Sequence, residues 1–375
     1  MGILYFDKVR AEIARYKQKK EEGKDIIIPF PFPKFSQEVP GIMKGIYTIF
    51  SANQKAGKTQ GTDYMFMYNP IEFVRTKDTN IDVKIKYFSL EMSKDAKFRQ
   101  AIVHRLFMKK GIILTTRQLR SLFDEYVLSD EMLRFIDEER EWFEFFESKV
   151  DIIDNIKNPF GIYNEIRNFC HNNGKYYNHE GGVIPLEDIK KNDLEINKSI
   201  SHFDFDNPDL FVIPIVDHAS LLTPEKVNGR QGTTYDAIGD LSTKYLVSAR
   251  NRWNISPILV QQQTLEKEGN ESAKLDRHEP SASGLADNKT TSKDCDVLIT
   301  LYEPFRNKVK TYRSYDITRL KNHYRRLAVE LDREGATFET SLYFNGKVNF
   351  FKELPKANEM TDDIYKRIEK EEIYP

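Results

Sequence analysis

The 375-residue sequence predicts an α/β fold with a mostly parallel central sheet and helices on both faces. Apolar, β-rich runs alternate with segments of helical periodicity along most of the chain, which is typical of parallel sheets. A loop that resembles a phosphate-binding site, SANQKAGKTQ at 51–60, joins the first of these strands to a helix. No repeat of fixed period is visible. We therefore expect one α/β domain.

Within that domain the elements are assigned in chain order. Predicted strands are GIYTIFSA (45–52), VKIKYFSL (83–90), KVDIIDNI (149–156), LFVIPIVDH (210–218), ISPILVQQQ (255–263) and CDVLITLYEP (295–304). Predicted helices are TQGTDYMFMYNPIEFV (59–74), the charged region 94–149, GIYNEIRNFCHN (161–172) and DAIGDLSTKYLVSARNRWN (236–254). The polar stretch 175–205 is predicted as an inserted loop or hairpin. SYDITRLKNHY (314–324), ATFETSLYF (336–344) and KVNFFKEL (347–354) are predicted to close the chain as strands or hairpins.

Both ends of the chain are predicted to be small additions to a domain at 41–355. Apolar residues at helical spacing predict an amphipathic helix over 3–22. The three prolines of IIIPFPFPKF (26–35) exclude a helix there, so 1–40 is predicted as a helix followed by an extended arm. This appendage is expected to pack either on its own domain or on a neighbouring subunit. Residues 356–375 are predicted as a tail.

Composition excludes several classes of protein. Lys+Arg (57) and Asp+Glu (58) nearly cancel, so any contact with DNA has to come from a local basic patch. Cys170 and Cys295 lie far apart in the sequence, which predicts neither a disulfide framework nor a zinc site. No apolar run is long enough for a signal peptide or a membrane span, and we expect a cytoplasmic protein without a membrane partner.

The loop at 51–60 follows the pattern G-x-x-x-x-G-K-[S/T] except at its first position. In that motif, backbone N–H groups surround the phosphates, the lysine adds charge, and the hydroxyl binds Mg²⁺. Alanine can replace the first glycine where φ is negative. The flanking strand and helix favour an ATP site over a chance surface turn. The predicted nucleotide-binding residues are Ala52, Asn53, Gln54, Lys55, Ala56, Gly57, Lys58, Thr59 and Gln60, with Thr59 also a magnesium ligand.

Three further strand ends carry polar residues. Glu91 follows the second strand, where a carboxylate can deprotonate an attacking water; the alternative is a capping or solvated glutamate. Asp217 ends LFVIPIVD, the pattern of an acid that holds magnesium, although Pro214 is unusual in a central strand. Gln261 to Gln263 end the next strand, where an amide can contact a γ-phosphate or simply mark a polar strand exit.

These motifs, in this order, resemble the RecA-like ATPase domain of DnaB-type replicative helicases. FSANQKAGKT is similar to that family's phosphate loop, in which alanine is usual at the first position, and YFSLEMS matches its next motif almost letter for letter. The resemblance covers roughly 40–350. It implies that Glu91 is the catalytic base, that Asp217 acts through the metal, and that Gln263, or Gln262 after a one-residue slip, senses the γ-phosphate.

The resemblance also implies a lysine and an arginine that reach a neighbouring subunit's ATP site. In RLKNHYRR, Lys321 is in place, but His323 stands where the arginine is expected. Arg325 or Arg319 could substitute, and strand parity would place Arg325 on the face of Lys321. The family's helical domain that precedes the ATPase is also missing from the given chain, which suggests a short, phage-like form.

In the family, the loops after Asp217 and after the glutamines contact single-stranded DNA. The candidate DNA-binding residues here are Lys226, Arg230, Lys274 and Lys289, with a solvated mixed-charge loop as the alternative for each. Trp253 is expected to be a packing residue.

The leading interpretation is an ATP- and Mg²⁺-dependent DNA helicase that forms a hexameric ring, moves on single-stranded DNA and has a primase or helicase loader as partner. The alternatives are a RecA-type DNA-binding ATPase that does not unwind DNA, and a degenerate nucleotide-binding scaffold of a virus.

Overall fold

The computed structural model describes residues 5–123, 125–190, 198–227, 230–264 and 278–375. Its centre is a nine-stranded sheet in the order β9-β8-β7-β6-β1-β5-β4-β2-β3. The strands are β1 Thr48–Ala52, β2 Asp82–Ser89, β3 Val150–Ile153, β4 Leu210–Asp217, β5 Ile258–Gln262, β6 Val297–Tyr302, β7 Tyr324–Asp332, β8 Glu339–Asn345 and β9 Phe350–Glu353. Strands β1 to β6 are mutually parallel, and β7 to β9 extend the sheet antiparallel at one edge. The predicted mostly parallel sheet is confirmed.

Helices connect these strands and cover the sheet. They are α1 Tyr5–Glu21, α2 Pro33–Glu38, α3 Lys58–Thr62, α4 Asn69–Thr76, α5 Lys94–Lys110, α6 Thr116–Leu119, α7 Asp130–Glu138, α8 Arg140–Lys149, α9 Pro159–Asn172, α10 Leu186–Lys190, α11 Thr234–Gly239, α12 Val247–Trp253, α13 Ile317–Leu320 and α14 Asp362–Glu369. A π-helical turn, Asp63–Tyr68, joins α3 to α4, and a second, Asp240–Leu246, joins α11 to α12. Two clusters of buried apolar side chains lie on the two faces of the sheet. None of the described helices is both long and apolar enough to cross a membrane.

Pro214 fits its central strand because β5 starts just beyond it. Ile258, the first residue of β5, pairs with Ile215. The carbonyl of Val212 accepts from the N–H of Ser256, so Pro214, two residues further along, points its nitrogen to the same side. The missing N–H of Pro214 therefore faces the entry of β5, and the ladder between β4 and β2 stays continuous through the pair Lys86 and Pro214.

The arm at 26–35 is not extended throughout, and that prediction is wrong at its end. Pro33 begins α2, because proline is tolerated in the first turn of a helix, where the N–H has no partner within the helix. Phe30, Phe32 and Phe35 of the arm are buried in the core cluster of their own domain. The arm therefore packs within its own chain, whereas α1 leaves Phe6 and Ile13 70% and 63% exposed.

The segment 314–324 is also not a strand over its length. Helix α13 and a 3-10 turn, Lys321–His323, precede β7, and Lys321 has a φ of 50°. Arg325 belongs to the strand, but Lys321 precedes it. The prediction that strand parity places the two residues on the same face is therefore wrong.

The polar insertion at 175–205, which was predicted as a loop or hairpin, forms a small antiparallel sheet. Its strands are Gly174–Asn178, Val183–Ile184 and Ile200–Phe205. It joins the body of the domain through Trp253, whose indole N–H donates to the hydroxyl of Tyr176 at 2.6 Å. Trp253 is 1% exposed, which confirms it as a packing residue.

Candidate nucleotide-binding site

A cavity of about 630 Å³ opens where the parallel strands end at their carboxyl termini. It brings together residues from four separate stretches of the chain: the loop between β1 and α3, the segment after β2, the end of β4 and the end of β5. Its lining comprises Asn53, Gln54, Lys55, Gly57, Lys58, Thr59, Gln60, Glu91, Met92, Gln100, His218 and Gln262. A second cavity of about 350 Å³ adjoins it past Gln60 and Gln100.

The loop that lines this cavity has the backbone expected of a phosphate cradle. Ala52 ends β1 and is fully buried, and it is not among the residues with positive φ, so glycine is not needed there. Lys55 and Gly57 do take left-handed conformations, at φ of 59° and 95°. Gly57 caps α3, so the free N–H groups of the helix start point into the cavity. Burial lowers the pKa of Lys58 to about 8, with Asp217 and Glu91 opposing that shift.

Thr59 lines the cavity and contacts the buried Asp217. The Thr59 hydroxyl donates to Asp217 Oδ1 at 3.3 Å, across 158 residues of sequence. A hydroxyl and a carboxylate are hard oxygen ligands of the kind that Mg²⁺ takes, so the pair fits that ion. Within the described ranges, no group of three or more His, Cys, Asp or Glu side chains could hold a metal. Magnesium would therefore also need phosphate oxygens and water as ligands.

Glu91 also lines the cavity, two residues beyond the end of β2. Its side chain is 60% exposed, and one carboxylate oxygen lies 3.7 Å from Nε2 of His218. The peptide bond between Asp217 and His218 is cis. Burial, with the charge of Lys58 adding to it, lowers the pKa of His218, and the Asp217 and Glu91 carboxylates oppose this.

The structure places Gln262, rather than Gln263, in the cavity. Gln263 is 1% exposed, and its amide bonds Ser51 Oγ at 2.8 Å and the backbone N–H of Ser281 at 3.1 Å. Gln263, which the family resemblance favoured, therefore does not line the cavity, whereas its one-residue alternative Gln262 does. Since alternate residues of a strand face opposite ways, a slip of one residue exchanges a cavity position for a buried one.

Arg325 does not extend from the surface of the chain. Its Nε donates to the carbonyl of Ala56 in the phosphate loop at 2.6 Å, and its Nη1 donates to the carbonyls of Asn322 and Tyr324. The guanidinium also stacks on Phe344, 4.4 Å from the ring centre. Arg325 is 2% exposed, so in this conformation it braces its own loop and does not reach another subunit.

The other candidates for a reaching cation are placed differently. Arg319 pairs with Asp362 and Glu369 of α14, both at 2.8 Å. His323 lies within hydrogen-bonding distance of the carbonyl of Phe344, 2.9 Å away, and stacks on Tyr343. Lys321 is exposed at the surface. Lys321 is thus the freest of the four side chains.

The candidate DNA-binding residues that the structure describes do not line the nucleotide cavity. Lys226 is exposed on a two-residue strand that pairs with the strand Arg230–Gln231, and Lys289 is exposed at the start of a 3-10 helix. The backbone of Arg230 is in this hairpin. Lys274 lies outside the described residues.

Two features of the site were not predicted from the sequence. Arg306, just after β6, donates to the carbonyl of Gln54 at 2.5 Å and lines a small cavity beside the loop. Asp63, Tyr87 and Lys97 form a buried polar cluster behind Asp217. No local motif marks either feature, because each depends on contacts between distant parts of the chain.

No protein-family profile and no curated protein sequence matches the chain. Solved structures do resemble it. A structure described as the ATPase domain of G40P aligns over 92% of this chain and 98% of its own, with a TM-score of 0.61 and 17% identity. A DnaB-like replicative helicase, described with its interactions with primase, aligns over 92% of this chain and 67% of its own, with a TM-score of 0.61 and 16% identity. The chain therefore has the fold of a DnaB-type, RecA-like ATPase domain.

Proposed function

We propose that the protein is an ATP hydrolase that uses Mg²⁺ and converts turnover into movement on single-stranded DNA, as a helicase of the DnaB-like type. The observation that carries this proposal is the convergence of Lys58, Thr59, Glu91 and Gln262 at one cavity at the carboxyl ends of parallel strands, with Asp217 in contact with Thr59. A phosphate cradle, a pair of metal-binding oxygens, a base and a neutral amide are the parts that phosphoryl transfer requires.

Each residue has a role in the proposed reaction. The N–H groups at the start of α3 and the Lys58 ammonium bind the β- and γ-phosphates, while Thr59 and Asp217 would hold the metal. Bound Mg²⁺ would offset the negative charge of the phosphate oxygens. Glu91 takes a proton from the water that attacks the γ-phosphorus, and the bond to the β,γ-bridging oxygen breaks. Gln262 bonds the γ-phosphate and loses that contact when phosphate leaves.

The proposal includes a homo-oligomeric ring, with six subunits expected. The apolar face of α1, with Phe6 and Ile13 mostly exposed, supports self-association, because such a face is usually covered. In such a ring, Lys321 is the proposed residue that reaches a neighbour's phosphates. The ring would also place Lys226, Arg230 and Lys289 along a common channel for DNA, where they would contact phosphates. A primase or a helicase loader is the proposed protein partner.

The test is ATP turnover with and without single-stranded DNA, for the wild type and for Glu91→Gln. We expect DNA to stimulate turnover several-fold and the variant to lose roughly 10² or more in rate while still binding nucleotide. Glu147→Gln on the exposed face of α8 is the matched control and should turn over normally. Turnover that ignores DNA would contradict a translocase.

One observation favours a second candidate, a RecA-type ATPase that binds DNA without unwinding it. Arg325, Arg319 and His323 are all engaged by groups of their own chain, so none is poised to act in a neighbour's site. Native mass with bound nucleotide separates the two candidates. A ring together with strand displacement on a forked duplex supports the helicase, and a monomer that hydrolyses ATP supports the alternative.

A further inference from the structure

Behind the proposed metal site lies a cluster of three polar side chains with no access to solvent. Asp63, Tyr87 and Lys97 are 0%, 0% and 1% exposed. They come from three elements that face Asp217: the π-helical turn after α3, the strand β2, and the first turn of α5. None of them lines the nucleotide cavity, and the proposed reaction does not use them directly.

The contacts in this cluster have a definite direction. The Lys97 ammonium donates to both carboxylate oxygens of Asp63, at 2.8 and 3.0 Å, and to the hydroxyl oxygen of Tyr87 at 2.7 Å. The Tyr87 hydroxyl lies 2.7 Å from Asp63 Oδ1 and 2.8 Å from Asp217 Oδ2. A phenol has one proton to donate. Asp63 already accepts two bonds from Lys97, so that proton is best placed on Asp217.

The result is that the two oxygens of Asp217 have different surroundings. Oδ2 faces the interior, where it accepts from Tyr87 and lies 3.7 Å from the Lys97 ammonium. Oδ1 accepts from the hydroxyl of Thr59, and Thr59 lines the cavity. The carboxylate is therefore held by one oxygen, which leaves the other directed at the position that a metal would take.

Stability alone does not account for these buried charges. Well-packed apolar residues can usually replace a buried ion pair at no loss of stability, because removing two charges from water is costly. A buried network that fixes the orientation of a metal-binding carboxylate has a different use, since the partners of metal ligands set both the geometry and the affinity of a site.

We propose that Tyr87, Lys97 and Asp63 are positioning residues that orient the Asp217 carboxylate for Mg²⁺. Lys97 anchors Tyr87, Asp63 anchors Lys97, and Tyr87 holds Asp217. This inference rests on the proposed nucleotide- and magnesium-dependent function and adds to it the groups that set the metal affinity.

The test compares wild type with Tyr87→Phe, which removes only the hydroxyl. Binding of a fluorescent ADP analogue is measured first in EDTA and then across a Mg²⁺ titration. We expect affinity in EDTA to stay within about twofold, since the phosphate loop is untouched. The Mg²⁺ concentration for half-maximal enhancement should rise by roughly tenfold or more, the usual effect of losing a partner of a metal ligand.

Tyr176→Phe is the matched control, because it also removes a buried tyrosine hydroxyl with a 2.6 Å hydrogen bond, but far from the site. Its Mg²⁺ response should equal that of wild type. If Tyr87→Phe does not fold, the double variant Asp63→Asn/Lys97→Met, which removes both charges together, takes its place and should show the same rise.

A folded variant with an unchanged Mg²⁺ response would overturn the positioning role and leave the proposed function intact. A wild type whose nucleotide affinity ignores Mg²⁺ would instead overturn the proposed function and this inference together. The positioning role would also be overturned if the variant lost as much nucleotide affinity in EDTA as it did with Mg²⁺ present. Equal losses would indicate general distortion of the phosphate loop.

Discussion

Arg325 Nε lies 2.6 Å from the carbonyl oxygen of Ala56, a contact that joins the antiparallel edge of the sheet to the phosphate loop. The two residues are 269 positions apart in the sequence. The same guanidinium stacks on Phe344, which in turn packs against Gly57 so closely that a Cβ there would lie 3.2 Å from the ring. The edge strands β7 and β8 therefore shape the loop from behind.

Arg325→Ala should destabilise the protein. It leaves the carbonyls of Ala56, Asn322 and Tyr324 without their donor and Glu303 without its nearest positive charge, 3.6 Å away. The expected loss is about 2–4 kcal/mol in the free energy of unfolding, together with weaker nucleotide binding. Urea denaturation measures the first quantity. Arg319→Ala, whose ion-pair partners are exposed, should cost much less stability than Arg325→Ala. Unchanged stability of Arg325→Ala with loss of turnover alone would instead indicate a role across subunits.

The two neighbouring glutamines should respond in opposite ways. Gln262→Ala should reduce ATP turnover by on the order of 10² with little change in stability, since Gln262 lines the cavity. Gln263→Ala should lower stability by about 1–3 kcal/mol, because it leaves Ser51 and the Ser281 N–H without partners in the interior. Thermal unfolding and steady-state turnover, measured on both variants, give the comparison. If Gln263→Ala instead lost as much turnover as Gln262→Ala and kept its stability, Gln263 would be the residue that senses the γ-phosphate, as the family resemblance implies.

His104 should make stability depend on pH. Burial lowers the pKa of His104 from its ordinary 6.5 to about 4, and the ring sits 3.1 Å from the carbonyl of Val348. Between pH 4 and pH 6.5, the histidine of the unfolded chain binds a proton that the folded protein does not bind. The free energy of unfolding therefore falls as the pH drops from 6.5 towards 4. The full contribution is about 3 kcal/mol.

The measurement is urea denaturation at several pH values from 7 to 4.5. His104→Asn should be less stable than wild type at pH 7, yet its stability should fall less as the solution is acidified. His202→Asn, the same substitution at an imidazole that is 43% exposed, is the matched control. Identical slopes in all three proteins would show that His104 takes up its proton in the folded state at its ordinary pKa.

If DNA passes the hairpin that carries Lys226, removing this charge should weaken binding in a salt-dependent way. Lys226→Ala should lower affinity for single-stranded DNA of any sequence and reduce the slope of log affinity against log salt by about 0.7. Lys289→Ala should behave alike, and Lys17→Ala on α1 is a control of equal charge. Anisotropy at several salt concentrations tests this. Unchanged slopes for both variants would remove these residues from the DNA path.

The exposed apolar face of α1 should control assembly. Ile13→Asp places a charge in the middle of that face and should shift the protein towards monomers, whereas Lys17→Asp on the polar side should not. Analytical ultracentrifugation at several concentrations, with nucleotide present, compares the two variants. Equal masses for Ile13→Asp and wild type would place the subunit contact elsewhere.

Local pattern was sufficient to predict most of the fold. Alternating apolar runs identified the six parallel strands, and the strand–loop–helix context around Gly57, Lys58 and Thr59 predicted a nucleotide site despite Ala52. These features are readable because a strand, a cap or a phosphate loop depends on neighbours in the sequence. Glu91 and Asp217 could also be predicted to lie near each other, because parallel strands all end at one edge of a sheet.

Long-range packing settled the remaining features. Which of Gln262 and Gln263 faces the cavity depends on strand register, where one residue reverses the direction of a side chain. Whether Arg325 points outward or braces Ala56 depends on how the antiparallel edge lies against the loop. The buried charge of Lys97 is invisible in the sequence, where the same residue reads as a solvated helical lysine. Only the meeting of α5, β2 and the π-helical turn supplies the partners that make its burial possible.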